Sequence, residues 1–228
     1  MSDVVVIIGA GPGLSASLAR TFASTGKKVV LAARNTDKLA DLCSETGAVA
    51  VACDCTDHQA VAQMFARADQ EGQLETAIYN PSFRVRSPVA ELEPDMVRRA
   101  LEINAYGGFL MGREATTRMK NAGGGNILFT GASASVKGFA LSATFAMGKF
   151  ALRGLAQSMA RELAPENIHV AHIVIDGGIR SDHRPPDPDA IDALLDPDAI
   201  AQNYLMITRQ QRSAWTWEIE LRPWVERF

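Results

Sequence analysis

Residues 9–15 read Gly-Ala-Gly-Pro-Gly-Leu-Ser, directly after the aliphatic run VVVII (residues 4–8) and before a stretch with helical spacing. Glycines at such a junction let the backbone turn sharply and come close to a pyrophosphate, whose charge meets the unpaired N–H groups of the helix N-terminus. A glycine-rich turn on its own is a weak signal. Its place at the first strand-to-helix junction is what gives it weight. Leu14 stands where the third glycine of the common dinucleotide fingerprint belongs, and the loop fits better a Gly-x-x-x-Gly-x-Gly pattern with Ser15 in the last place.

The end of the second aliphatic run decides which dinucleotide would fit. An acid there, about 20 residues past the loop, would hold the ribose hydroxyls of NAD. This chain has Ala33-Arg34-Asn35. A guanidinium fork suits a 2′-phosphate and gains little from a bare hydroxyl, so NADP(H) is expected over NAD(H). Asp54 closes the third run. It is expected to accept a hydrogen bond from the adenine amino group, to cap a helix beginning near Thr56, or both.

These residues need a frame, and the chain supplies one. Short apolar runs at 4–8, 29–33, 48–53, 76–79, 126–130 and 169–175 read as strands, apolar on both faces as in the middle of a parallel sheet. Stretches of helical spacing at 14–24, 59–70, 94–121 and 143–163 alternate with them, and a helix (198–209) and a strand (213–221) follow. Strand–helix alternation of this kind predicts a doubly wound parallel sheet of Rossmann type, three layers αβα, with right-handed crossovers. The length, 228 residues, matches one domain. Residues 180–197, dense in Asp and Pro, read as a mobile surface loop.

Composition narrows the class. A 47% hydrophobic, 21% charged chain is an ordinary globular one, and a net charge of -3 offers no concentrated basic face for nucleic acid. No apolar run reaches the roughly 18 residues that span a bilayer. Cys43, Cys53 and Cys55 are too few and too irregular for a disulfide framework or a zinc site, so no metal is expected. The opening MSDVVVIIGAGPG has no basic n-region, and a cytoplasmic protein is expected.

The glycine loop, Arg34, Asp54, the block EINAYGGF (102–109) and the segment FAMGKFALRGLAQSMARELAPENIHVAHI together resemble the short-chain dehydrogenase/reductase family. The resemblance runs from Val4 to about Gly178. It implies NAD(P)(H) binding on a Rossmann fold and an active site of Asn, Ser, Tyr and Lys. Asn104 falls on the family's asparagine, which anchors a water relay, and Lys149 on its lysine. Phe145 stands at the tyrosine's place, and Ala132 at the serine's with Ser133 one step along. Of the family's Asn-Asn-Ala-Gly stretch only Asn80 is kept, in Tyr79-Asn80-Pro81-Ser82, and its Pro-Gly is here Asp176-Gly177. The implied cofactor contacts are Gly9, Pro12, Gly13 and Leu14 in the loop, Arg34, Asp54 and Cys55 after the second and third strands, Asn80, Lys149, and Gly177 and Ile179 after the sixth.

A phenol titrates near pH 10 and serves as an acid near neutrality only beside a cation, and Phe145 has none to tune. A positioned general acid is worth ~10²–10⁴ in rate and an oxyanion donor ~10²–10³. Lys149 is then left to bind ribose hydroxyls. Ser133, Ser135, Ser142 and Thr144 carry hydroxyls near Phe145 but suit a structural loop equally well. Tyr79 and Tyr106 read as packing or interface aromatics, and His183 and Asp182 as solvated loop residues.

Two functions follow. One is an NADP-dependent oxidoreductase acting on a small molecule, a carbonyl or activated alkene, with its proton drawn from water or from a residue foreign to the family. The other is a nucleotide-binding sensor or partner subunit without turnover. In either case the helices at 94–121 and 143–163 resemble those through which the family forms dimers and tetramers.

Overall fold

The computed structural model describes residues 2–181, 183–190 and 192–226. Seven parallel strands form one sheet in the order β3-β2-β1-β4-β5-β6-β7: β1 (Asp3–Ile8), β2 (Lys28–Ala33), β3 (Val49–Ala52), β4 (Gln73–Tyr79), β5 (Gly125–Thr130), β6 (Ile168–Ile175) and β7 (Glu218–Leu221). The expected doubly wound αβα architecture is the observed one. After their first residues β1 and β2 are apolar on both faces because the sheet is covered on both sides. Val4, Val6 and Ile8 pack with Met64, Phe65, Met111 and Leu152, while Val5 and Ile7 pack with Leu18, Phe22 and Tyr204. The first layer holds α3 (His58–Ala68), α5 (Gly107–Ala122) and α6 (Ala143–Leu163). The second holds α1 (Leu14–Ala23), α2 (Ala40–Thr46) and α7 (Pro197–Thr208).

Strand order reverses between β1 and β4, which opens a crevice beyond their carboxyl ends. Several features differ from the sequence expectations. The helix expected at 94–121 is α4 (Pro94–Leu101), a π-helical turn over Glu102–Tyr106, and then α5. π turns interrupt α-helices at functional sites more often than elsewhere, and this one carries Asn104. The strand expected at 213–221 shrinks at its start to Glu218–Leu221, because Arg212–Ala214 makes a short 3₁₀ turn. α2, seven residues long, has too little apolar periodicity to be read from sequence.

Candidate active site

Two adjoining clefts occupy the crevice, of about 900 Å³ and 750 Å³, with Asn80 and Ser82 in the wall between them. Gly9, Arg34, Asp54 and Cys55 line the first. Leu14, Ser133, Phe145, Lys149, Gly177 and Ile179 line the second. Pro12 is exposed and Gly13 is the N-cap residue of α1. The expected cofactor contacts divide between the two clefts, Gly9, Arg34, Asp54 and Cys55 at the first and Leu14, Lys149, Gly177 and Ile179 at the second, while Pro12, Gly13 and Asn104 line neither.

The glycine loop fits a pyrophosphate. Gly9 has φ +83, and a Cβ there would stand 2.7 Å from the backbone nitrogen of Pro81, so only glycine allows this approach. Gly13 has φ +88 and faces open space, with no atom within 4 Å of where its Cβ would be. Behind it α1 starts with no side-chain cap and no acid in its first turn, leaving its N–H groups for an anion. The Asn80 side-chain amide donates to Ser15 Oγ at 2.7 Å, and Ser15 Oγ donates to the Gly9 carbonyl at 2.9 Å. Ser15 therefore ties the loop to the end of β4, a role its place in the glycine pattern did not reveal.

Arg34 is exposed at the rim of the first cleft. Sequence reading missed two further cations there. Lys38 reaches back over the loop, its Nζ 3.8 Å from where a Cβ on Gly11 would lie, and Arg99 stacks over the Phe83 ring at 5.6 Å. A basic residue four positions after Arg34 was the available signal for Lys38. Asp54 does not cap a helix: it accepts from Thr56 N at 2.9 Å and Thr56 Oγ1 at 2.8 Å, and Asp57 caps α3 by accepting from Gln59 N and Ala60 N. Those Thr56 bonds, with the charges of Arg34 and Arg99, hold the Asp54 carboxyl below its ordinary range. Burial raises the thiols of Cys53, to about 12, and of Cys55, so neither offers a thiolate near neutrality.

At the other end, Lys149 is buried and its Nζ donates to the carbonyls of Thr130 at 2.8 Å and Pro81 at 3.5 Å. Burial lowers its pKa to about 8. The centre of the half-buried Phe145 ring lies 5.9 Å from Nζ and 5.6 Å from the Arg84 guanidinium. Asn104 is fully buried and spends both ends of its amide on one residue, donating to Phe83 O at 2.7 Å and accepting from Phe83 N at 3.0 Å. Gly148 permits this packing, since a Cβ there would stand 2.6 Å from Asn104 Cβ.

The hydroxyls near Phe145 sort by their bonds. Ser135 accepts from Ala132 N, Thr144 donates to Val85 O, and Ser142 accepts from Arg84, so all three are structural. Ser133 hydrogen-bonds Asp176, a nearly buried carboxylate also paired with Lys137 at 3.4 Å and Arg222 at 3.3 Å. Burial would raise Asp176, and these partners outweigh it and keep the carboxyl below its usual range. Tyr79 is buried and its hydroxyl donates to Ile103 O, whereas Tyr106 is exposed and stacks on Phe109. His183 lies exposed at the second cleft, and Asp182 falls outside the described residues. The loop around them is tethered by the Arg180–Asp196 ion pair at 2.7 Å.

The family model for short chain dehydrogenases matches residues 3–190. The chain belongs to that family. Short-chain dehydrogenase structures share its fold: one from Rhodopseudomonas palustris is 38% identical, with 97% of this chain and 99% of that one covered and a TM-score of 0.85. A metagenomic short-chain oxidoreductase solved in complex with NADP is 25% identical, with 98% of both chains covered and a TM-score of 0.85. Among curated relatives, the cyclic-di-GMP-binding biofilm dispersal mediator protein of Escherichia coli is 32% identical over 186 residues, 79% of this chain and 75% of that protein. Trans-4-hydroxycyclohexanecarboxylate dehydrogenase of Sinomonas cyclohexanicum is 32% identical over 179 residues, 73% and 69% of the two chains. Among the described residues no helix is long and apolar enough to cross a membrane, and no three His, Cys, Asp or Glu side chains gather as a metal site.

Proposed function

We propose that this short-chain dehydrogenase is an NADP(H)-dependent oxidoreductase, a single domain, whose proton-transfer site departs from the family's. Phe145 stands for the tyrosine and Ala132 for the serine. The observation that carries the reading is the pairing of a pyrophosphate-ready loop, open at Gly13 and backed by the uncapped α1, with the buried Lys149 beside an aromatic ring that bears no hydroxyl. The complex of a structural relative with NADP supports the cofactor, and Arg34 with Lys38 at the first cleft supports the 2′-phosphorylated form.

Bound in the crevice, the reduced nicotinamide would supply a hydride. The chain's own residues do the rest. Arg34 and Lys38 hold the 2′-phosphate end, Asp54 and Cys55 border the adenosine, and the Gly9–Gly13 loop holds the pyrophosphate. Two of the three Lys149 N–H donors are engaged by carbonyls, which leaves one for a ribose hydroxyl. Asn104 positions the segment around Phe83 instead of anchoring a water relay, and Ser133, held by Asp176, is the hydroxyl nearest to a substrate-steadying role. A carbonyl or activated alkene whose protonation can come from solvent suits such a site. The three cysteines are unpaired, as in the reducing cytoplasm.

A second reading keeps the nucleotide and drops the turnover. Phe145 favours it, and so does the 32% identity to a relative named for binding cyclic-di-GMP. A panel of carbonyl and enoyl compounds with NADPH, run beside an NADPH titration, separates the two: oxidation of NADPH on any compound supports the enzyme, and binding with no oxidation on every compound supports the sensor.

A further inference from the structure

Arg84 is the cation of this site that the family's chemistry does not call for. It lies on the wall of the second cleft and not of the first, so it is set apart from the phosphate end. Its backbone is pinned on both sides: Asn104 clamps Phe83 through two hydrogen bonds, and Thr144 Oγ1 donates to Val85 O at 3.1 Å. Its side chain is placed as firmly. Nη2 donates to the buried Ser142 Oγ at 2.9 Å, and the guanidinium lies 5.6 Å from the Phe145 ring centre. That same ring has Lys149 Nζ at 5.9 Å. Two cations, one exposed and one buried, are therefore held against one aromatic ring of the second cleft.

Among the described residues no carboxylate pairs with either. Two acids line the cleft: Asp176 is taken by Lys137 and Arg222, and Glu226 is exposed and forms no ion pair with Arg84 or Lys149. Arg184 adds a further cation to the wall. Arg84 is exposed at the cleft while Lys149 is buried, so an incoming anion meets an accessible guanidinium beside a desolvated ammonium. A planar guanidinium fixed at one Nη still offers its remaining N–H groups to the two oxygens of a carboxylate.

We propose that the second cleft takes an anionic substrate, a carboxylic acid whose reducible carbonyl or activated double bond lies close to its carboxylate, with Arg84 gripping the carboxylate. This rests on the reductase reading above for the reducible group, but not for the grip itself. Because both cations lie on one ring, the carboxylate and the reacting group belong to the same small fragment of substrate.

The test is calorimetric binding, with NADP⁺ present so that no turnover occurs. The probes are monocarboxylates from acetate to decanoate with benzoate and benzoylformate, each beside its primary amide. At least one acid should bind about tenfold or more tightly than its amide. Arg84→Gln should bring that pair within about twofold, and Arg84→Lys should restore part of the difference. NADPH titration of each variant checks that the fold and cofactor site persist, and Arg84→Met replaces any variant that fails it. The inference is overturned if no acid in the series outbinds its amide, or if the preference survives Arg84→Gln. If an acid binds in an Arg84-dependent way and no acid oxidises NADPH, the grip stands and the reductase reading falls.

Discussion

The ammonium of Lys149 lies 5.9 Å from the centre of the Phe145 ring, one helical turn earlier on α6. A phenol at that position would have a cation to lower its pKa, whereas a bare ring offers only its π face. The ring of Phe145 carries no hydroxyl for that cation to act on.

Cofactor preference tests the other end of the crevice. NADPH should bind about tenfold or more tightly than NADH, since a charge-assisted contact contributes about 1.5–3 kcal/mol. Arg34→Ala should remove most of the difference, and Lys38→Ala part of it. Fluorescence titration measures both, and equal affinities in the wild type would contradict the assignment.

Hydroxyls placed at positions 145 and 132 should raise carbonyl reduction. Phe145→Tyr with Ala132→Ser should raise NADPH-dependent reduction of a reactive diketone or quinone by about tenfold or more, and each single change should do less, because the two hydroxyls would hold one oxygen and act as a unit. Phe145 and Ala132 are only half-buried and line the cleft, so melting temperatures should move little. A folded double variant with no gain on these substrates would show that the site serves other chemistry.

Acid stability should depend on His172. Burial, helped by the charges of Lys149 and Arg153, lowers its pKa from 6.5 to about 4 against the pull of Glu218, whose Oε2 is 3.0 Å from Nδ1. The unfolded chain therefore binds the proton first. The stabilisation is fully present above pH 6.5 and is lost as pH falls toward 4, at about 1.4 kcal/mol per pH unit, on the order of 3 kcal/mol in all. Urea unfolding of wild type and His172→Gln at pH 7.5, 5.5 and 4.5 reads this out. The stability difference between the two proteins should shrink or reverse on acidification, and a pH-independent difference would contradict it.

Association should use the surface where α5 and α6 leave apolar side chains in solvent. Tyr106, Phe109, Met147 and Phe150 are each more than 40% exposed, more than a solvated helix face needs. A dimer or tetramer is the expected mass by light scattering at micromolar concentration. Phe109→Glu with Phe150→Glu should shift it toward monomer, and a monomeric wild type would contradict the assignment.

The sheet was legible because buried parallel strands are apolar on both faces, and here short runs rich in Val and Ile alternate with amphipathic stretches. What escaped has local physical reasons. A π turn merges with its flanking α-helices in any apolar periodicity, so the break at Glu102–Tyr106 left no trace. The Asn104 partner is a backbone 21 residues away, and backbone groups carry no sequence signature. Asp54 and Asp57 are both acids ahead of one helix, and only geometry shows which caps it. Arg84 was passed over because an exposed arginine in a loop is ordinary until a buried serine and an aromatic ring are seen to hold it.

Hydride transfer itself is the most direct test. The protein would be incubated with NADPH fully deuterated at nicotinamide C4 and a panel of carbonyl and enoyl substrates, acids included, and the products analysed by mass spectrometry. The proposed oxidoreductase puts one deuterium on carbon in at least one product, in proportion to NADP⁺ formed. Tight NADPH binding with no labelled product from any compound would contradict it.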